Sequence, residues 1–341
     1  MASRSVSGLR TRRRTLPALL ASVLLAGTAL VGCSTTEDAA SPGTTTAVES
    51  AEVAEGFPVT ITFDPYDPVT IEDQPERIVS LSPTTTEMLF AVGAGDQVVA
   101  VDEYSNYPED APLVEGLSGF TPNVESVLEH DPDLVLIMNK AEGIVEGLTA
   151  AGVPVLIVPA SVDLEDTYEQ IALVGEASGH ADAADELVEE MKRDVEDALA
   201  SVSQEFKDAG LTYYHELSST YHSVSGLTYI GQIYSEFGLT SIAPDNDDYP
   251  QLTSEAIVAA NPDIIFLANT RAEDMDADVI ASRPGWETID AVVNDQVIGL
   301  DDDLASRWGP RVSELVESIA DELNEQVVPN WENSEAPATV G

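Results

Sequence analysis

The chain holds one cysteine, Cys33, in 341 residues. Disulfides and thiol catalysis are therefore excluded from everything after it. Histidine is nearly as scarce: His130, His180, His215 and His222 are scattered, which argues against a cluster for bare zinc or manganese. Base is in short supply too. The sequence has 14 Lys or Arg against 62 Asp or Glu, and five of the 14 precede residue 15. Beyond residue 32, nine basic residues face 62 acidic ones, a net charge of −53. A surface this negative repels nucleic acid and anionic lipid, so neither is expected as a partner. Catalytic signatures are missing as well. There is no G-x-S-x-G turn, and His215-Glu216 opens like a zinc-protease helix but has Ser219 where the second histidine should stand. Asp245 to Asp248 lacks the glycine and distal glutamate of a calcium loop. Gly93-Ala-Gly95 follows a helical pattern rather than a strand, so it is a helix stop and not a dinucleotide loop. These absences point away from an enzyme and from a resident metal or cofactor.

The N-terminus carries what the rest lacks. Arg10, Arg12, Arg13 and Arg14 precede an apolar run from Leu16 to Val31, and no acid occurs before Glu37. That run is shorter than the ~20 residues a spanning helix needs and has the length of a signal-peptide core. It ends in Leu30-Val31-Gly32-Cys33, which resembles the lipobox of bacterial lipoproteins. The resemblance implies lipidation of Cys33 after removal of residues 1–32 and placement on the outer face of the cytoplasmic membrane. Thr11-Arg12-Arg13 leaves general and twin-arginine export both open. Residues 33–58, rich in Ser, Thr, Ala, Glu, Pro and Gly, have no apolar period and read as a lipidated tether.

From Arg77 onward short β-branched runs alternate with helical patterns. Strands are expected at Arg77–Leu81, Gln97–Val101, Leu134–Ile137 and Pro154–Val158, then at Leu211–His215, Ile264–Leu267 and Val297–Leu300. Pro83 and the Thr84-x-x-Glu87 spacing predict a capped helix that Gly93 closes. Between the two series, Ala184, Leu187, Val188, Met191, Val195, Leu199, Val202 and Phe206 form one helical stripe. The expected fold is therefore α/β, with two doubly wound lobes (59–180 and 207–330) joined by a single long helix (181–206), followed by a tail (331–341). An internal repeat supports the two-lobe plan. Glu125 stands seven residues before Pro132-Asp133 and a strand; Glu255 stands seven before Pro262-Asp263 and a strand.

Arg77-Ile-Val-Ser-Leu-Ser-Pro-Thr-Thr-Thr-Glu-Met-Leu89, Tyr104-Ser-Asn-Tyr-Pro108 and the Pro-Asp-Leu-Val strand resemble solute-binding proteins of ABC importers for metal chelates. Tyr249-Pro-Gln-Leu, Arg283-Pro-Gly-Trp286 and Arg307-Trp-Gly-Pro-Arg311 extend the resemblance through the second half. That group includes vitamin B12-, haem- and ferric-siderophore-binding proteins. The resemblance implies a monomer with a ligand cleft between the lobes, small lobe closure, and partnership with a permease and its ATPase. It also implies that one surface glutamate per lobe, here Glu125 and Glu255, docks on the permease.

Ligands of open α/β sheets sit at the turns that follow the strands. In the first lobe this selects Ser82, Pro83, Thr84, Tyr104, Tyr107, Phe120 and the turn Met138-Asn139-Lys140; in the second, Tyr214, His215, Tyr221, Ser225, Arg271, Arg307 and Trp308. Aromatic faces suit flat macrocycles and catecholates. The Arg307-x-Gly-Pro-Arg311 run resembles cobalamin-binding members, although Leu304 stands where such members can carry a tryptophan. Lys140, Arg271 and Arg307 could meet an anionic ferric siderophore, and Tyr104, Tyr214, His215 or His222 could ligate haem iron. The order of expectation is corrinoid, ferric siderophore, haem. The competing reading is a structural or adhesive lipoprotein that keeps the fold without transport, which predicts no convergent aromatics in the cleft.

Overall fold

A computed structural model describes residues 56–335 except 142, 246 and 247. Cys33, the signal and most of the tether lie outside the described residues. No helix among the described residues is long and apolar enough to cross a membrane.

The chain enters through a small antiparallel hairpin, β1 (Val59–Ile61) and β2 (Val69–Ile71), which the sequence pattern did not announce. The first lobe follows: β3 (Ile78–Leu81), α1 (Pro83–Ala91), β4 (Val98–Val101), α2 (Val124–Leu128), β5 (Leu134–Ile137), α3 (Ile144–Ala150), β6 (Val155–Ile157) and α4 (Leu164–Ser178). Then come α5 (Ala181–Ser201) and the short α6 (Gln204–Lys207). The second lobe is β7 (Thr212–Glu216), α7 (Tyr229–Glu236), β8 (Thr240–Ser241), α8 (Ser254–Ala260), β9 (Ile264–Leu267), α9 (Ala277–Ala281), α10 (Asp290–Val293) and β10 (Val297–Gly299). The chain closes with α11 (Val312–Glu322) and α12 (Val328–Glu335).

Both lobes have the same plan. The parallel sheets run β4-β3-β5-β6 and β8-β7-β9-β10, so each lobe reverses strand order at one position, between β3 and β5 or between β7 and β9. A crevice opens beyond the strand ends at such a reversal. The Pro-Asp repeat builds each sheet. The Asp133 carboxylate accepts from the N–H groups of Glu76 and Arg77 at 2.8 and 2.9 Å, and that of Asp263 accepts from the N–H and Oγ1 of Thr212 at 2.8 Å each. The residue before each proline turns the chain in the left-handed region, Asp131 at φ 48° and Asn261 at φ 50°. Asp and Asn are the side chains that tolerate this backbone best after glycine. Asn123 and Thr253 cap the preceding helices in the same register.

The strands are buried on both faces, which explains their continuous apolar runs. Alternate residues feed different cores. Leu134 and Leu136, Tyr213, Ile264 and Phe266 point into one cluster that continues through α4, α5 and α11 and is shared by both lobes. Val135 and Ile137 pack in an outer cluster of the first lobe, and Tyr214, Ile265 and Leu267 in an outer cluster of the second.

The linking helix is shorter than its apolar stripe. α5 holds 21 residues, about 31 Å, and packs between α4 and α11. It stops because Val202 is extended and Ser203 caps a new turn, its Oγ accepting from the Phe206 N–H at 3.2 Å. The C-terminal boundary is also corrected: residue 331 falls inside α12, and the Trp331 ring meets Phe206 edge-on at 5.8 Å.

Candidate functional site

The lobes meet where α1 faces the segment before α11. Glu87 was expected to complete a capping box; instead its side chain is buried, and Ser82 caps α1 without a side-chain bond. Arg311 grips Glu87 with two bonds, Nε to Oε2 at 2.8 Å and Nη2 to Oε1 at 2.6 Å. Arg307 adds a third from Nη1 at 3.3 Å. Its Nη2 donates to the Tyr104 carbonyl at 3.3 Å and pairs with Asp303 at 3.0 Å. One guanidinium thus touches both lobes. The approach is close at Gly309, where a Cβ would stand 3.3 Å from the Thr84 methyl, a tight contact.

The first-lobe wall is positioned by hydroxyls. Ser80, Thr85, Thr86 and Ser105 bond in a buried chain that ties β3 and α1 to the loop after β4. The Asp102 carboxylate accepts from the Tyr104 N–H at 2.7 Å, and burial pushes its carboxyl above the usual range. This loop presents Tyr104, 53% exposed, edge-on to Phe120, 68% exposed, with ring centroids 5.6 Å apart. Large rings so open to solvent are unusual, and the Tyr104 backbone carbonyl is the one that accepts from Arg307. Ser82 is buried, while Pro83 and Thr84 are partly exposed at the start of α1.

Trp308 stacks flat on Tyr229, 4.8 Å between centroids and 7° between planes. Thr167 on α4 shares a hydrogen bond with the Tyr229 hydroxyl at 2.9 Å, tying the lobes together beside this stack. The indole Nε1 is buried without a hydrogen-bond partner. Leu227 and Val162, one from each lobe, are exposed nearby and joined through Gln232, whose amide donates to both their carbonyls.

Several expected cleft residues lie elsewhere. Tyr214 and His215 are fully buried because β7 is an inner strand that runs on to Glu216. Tyr214 packs edge-on to Trp286 at 5.9 Å. The His215 Nδ1 meets the Tyr234 hydroxyl at 2.9 Å, and burial lowers its pKa to about 3, so the ring is neutral. Tyr221, at φ 66°, stacks on Trp286 and beneath Arg283 in the second lobe's outer core. Ser225 is buried, its Oγ accepting from the Leu227 N–H. Tyr107 lies under the Arg311 guanidinium at 3.9 Å, in a groove with Phe90 and Met191 rather than beside Tyr104. Asn139 and Lys140 are exposed, and Lys140 pairs with Glu146 at 3.6 Å beside a groove of about 840 Å3 under the β1–β2 hairpin. Arg271 is exposed and lies between Asp301 at 3.1 Å and Asp303 at 3.0 Å. His222 sits in a turn with Ser218 and Thr220.

A second buried ion pair lies beside the outer core of the second lobe. Glu216 receives Arg283 at 2.5 and 2.8 Å, with Asn269 and Tyr214 also donating to it. Neither buried glutamate was read from sequence. For Glu87 the available signal was two arginines four residues apart in a chain poor in base. Glu125 and Glu255 are exposed at matching positions of α2 and α8, the second residue after the cap.

Comparisons with known proteins agree with this architecture. The model of the periplasmic binding protein family matches residues 78–304. An uncharacterized ABC transporter substrate-binding lipoprotein of Bacillus subtilis is 34% identical over 89% of this chain and 95% of its own length. A cobalamin-binding protein of Halobacterium salinarum is 28% identical over 82% of this chain and 77% of its own. Among solved structures, a possible iron-binding, periplasmic solute-binding protein of Staphylococcus epidermidis superposes with a TM-score of 0.65 at 26% identity, over 74% of this chain and all of that one. The vitamin B12 binding protein of Vibrio cholerae, at 24% identity and a TM-score of 0.61, shares the fold over 74% of this chain and 97% of its own. The chain belongs to the periplasmic binding protein family, whose members bind solutes and carry out no catalysis.

Proposed function

We propose that this chain is the lipid-anchored, extracytoplasmic solute-binding protein of an ABC importer, and that it captures a metal chelate between its lobes. The observation that carries the reading is the pair of solvent-exposed rings, Tyr104 and Phe120, the first on a backbone carbonyl held by an arginine that touches both lobes. Apolar rings of this size left in water are what a flat ligand requires. The names of the relatives support the same reading. Pro83, Thr84, Tyr104, Phe120, Arg307 and Trp308 are the residues we assign to the ligand, with Arg271 at the rim; Ser82 is buried and supports them from α1. Tyr214 and His215 are withdrawn from that set because both are fully buried.

Among chelates the order remains corrinoid, ferric siderophore, haem. Haem stays last because burial of Tyr214 and His215 removes two of four candidate axial ligands. Delivery to the permease falls to Glu125 and Glu255. Two carboxylates in equivalent places on the two lobes would fix the orientation of the molecule over a two-fold partner. Cys33 would keep it within reach of that partner. The test is a binding screen of the purified chain against cobalamin, ferric siderophores and haem, followed by melting temperature and absorption. A shift with one class supports the reading; no shift with any of them defeats it.

A further inference from the structure

We propose that the cleft selects its chelate by charge, taking neutral or cationic metal chelates and rejecting anionic ones. The inference rests on the chelate-binding reading above and names the class of ligand. The guanidiniums at the lobe junction are already spent on the protein's own carboxylates. Arg311 gives two bonds to Glu87. Arg307 has both terminal nitrogens engaged, with Glu87 on one and Asp303 and the Tyr104 carbonyl on the other. Arg271 lies between Asp301 and Asp303. Three cations therefore meet three carboxylates, and Asp302 beside them adds a fourth, held by the N–H groups of Arg271 and Ala272 and the Thr270 hydroxyl.

An anionic chelate entering this junction would have to pull an arginine from a carboxylate, leaving Glu87 or Asp303 with one guanidinium instead of two, next to the ligand's own charge. Glu87 is the worse case, because its side chain is buried and cannot recover the loss from water. A neutral ligand escapes this cost: its amide or hydroxamate oxygens can accept from guanidinium N–H groups without displacing a counter-ion. Its apolar surface meets Tyr104 and Phe120, which need no charge. The remainder of the molecule works in the same direction. A net charge of −53 beyond residue 32 raises a repulsive field against anions and favours cations, to the extent that salt does not screen it.

The test is an equilibrium titration of the full chain, in detergent, followed by tryptophan fluorescence. The probes are ferrichrome (neutral), ferrioxamine B (cationic), aquacobalamin (cationic) and ferric enterobactin (multiply anionic), each at low and high salt. At least one neutral or cationic probe should bind about 100-fold more tightly than ferric enterobactin at low salt, and the gap should narrow as salt rises. Asp303→Asn, which leaves the buried Arg311–Glu87 pair in place, should narrow the gap by about tenfold. Ferric enterobactin binding as tightly as the best other probe overturns charge selection and leaves chelate binding standing. An Asp303→Asn chain with an unchanged gap also overturns it, since the junction carboxylates would not set the preference. Binding of none of the four probes overturns the proposal together with the chelate reading beneath it.

Discussion

Removing the Glu87 carboxylate tests the view that the lobes are latched rather than merely adjacent. Its side chain is 1% exposed and accepts three charge-assisted bonds from residues more than 200 positions away. Taking away one partner of a buried pair costs about 3–5 kcal/mol, because the other charge stays buried. Arg307 and Arg311 retain 11% and 14% exposure and can recover some hydration, so the lower end applies to Glu87→Gln, about 3 kcal/mol. For a chain of this size that is a fall in Tm of roughly 6 °C. Urea unfolding followed by circular dichroism supplies the measurement, with an unchanged slope expected because the shared core keeps unfolding cooperative. The triple variant Glu87→Met, Arg307→Met, Arg311→Met should recover most of the loss, since no buried charge remains unpaired. A Glu87→Gln chain within about 0.5 kcal/mol of the parent would refute the latch. So would a triple variant less stable than the single one.

Three further expectations follow from the geometry. Asp133→Ala and Asp263→Ala each remove two bonds that pin a neighbouring strand, so each should cost about 1–3 kcal/mol, and similar amounts, by urea unfolding. Unequal costs, with one near zero, would deny the two lobes a common building plan. His215 has a folded pKa of about 3 against 6.5 unfolded, so its contribution is complete above pH 6.5 and is lost as pH falls toward 3. Between pH 6 and 4 the parent should lose about 1.4 kcal/mol per pH unit relative to His215→Phe, and parallel stability curves would contradict a buried neutral ring. Replacing Glu125 and Glu255 together with alanine should leave ligand affinity intact and abolish uptake by cells; a loss of affinity would place them in the cleft.

What could be read from sequence tracks how local each cause is. Leu134–Ile137 and Ile264–Leu267 were legible to the residue, because a strand buried on both faces is an apolar run and Pro-Asp marks its start. The hairpin escaped notice: its strands hold three residues each, too few for a period of two to declare itself. The end of α5 was overrun because Val202 and Phe206 keep the helical spacing while the backbone between them breaks at a serine cap. Tyr104, Phe120, Arg307 and Trp308 lie in the loops after β4 and β10, which the strand pattern already leaves outside its apolar runs. Tyr214 and His215 were misplaced by one strand residue: β7 continues to Glu216 and keeps both side chains inside. Glu87 had no local trace, since its partners lie in another lobe and its spacing imitated a cap.

Calorimetric titration of the purified chain with cobalamin shows whether the junction around Tyr104, Phe120 and Arg307 binds a chelate. One site per chain is expected. Its affinity should fall by roughly 10- to 100-fold in Tyr104→Ala, Phe120→Ala, with Tm held within a few degrees because both rings are already exposed. Absence of binding by cobalamin and by every ferric siderophore tried would rule out a chelate site at this junction, as would tight binding that the double substitution leaves unchanged.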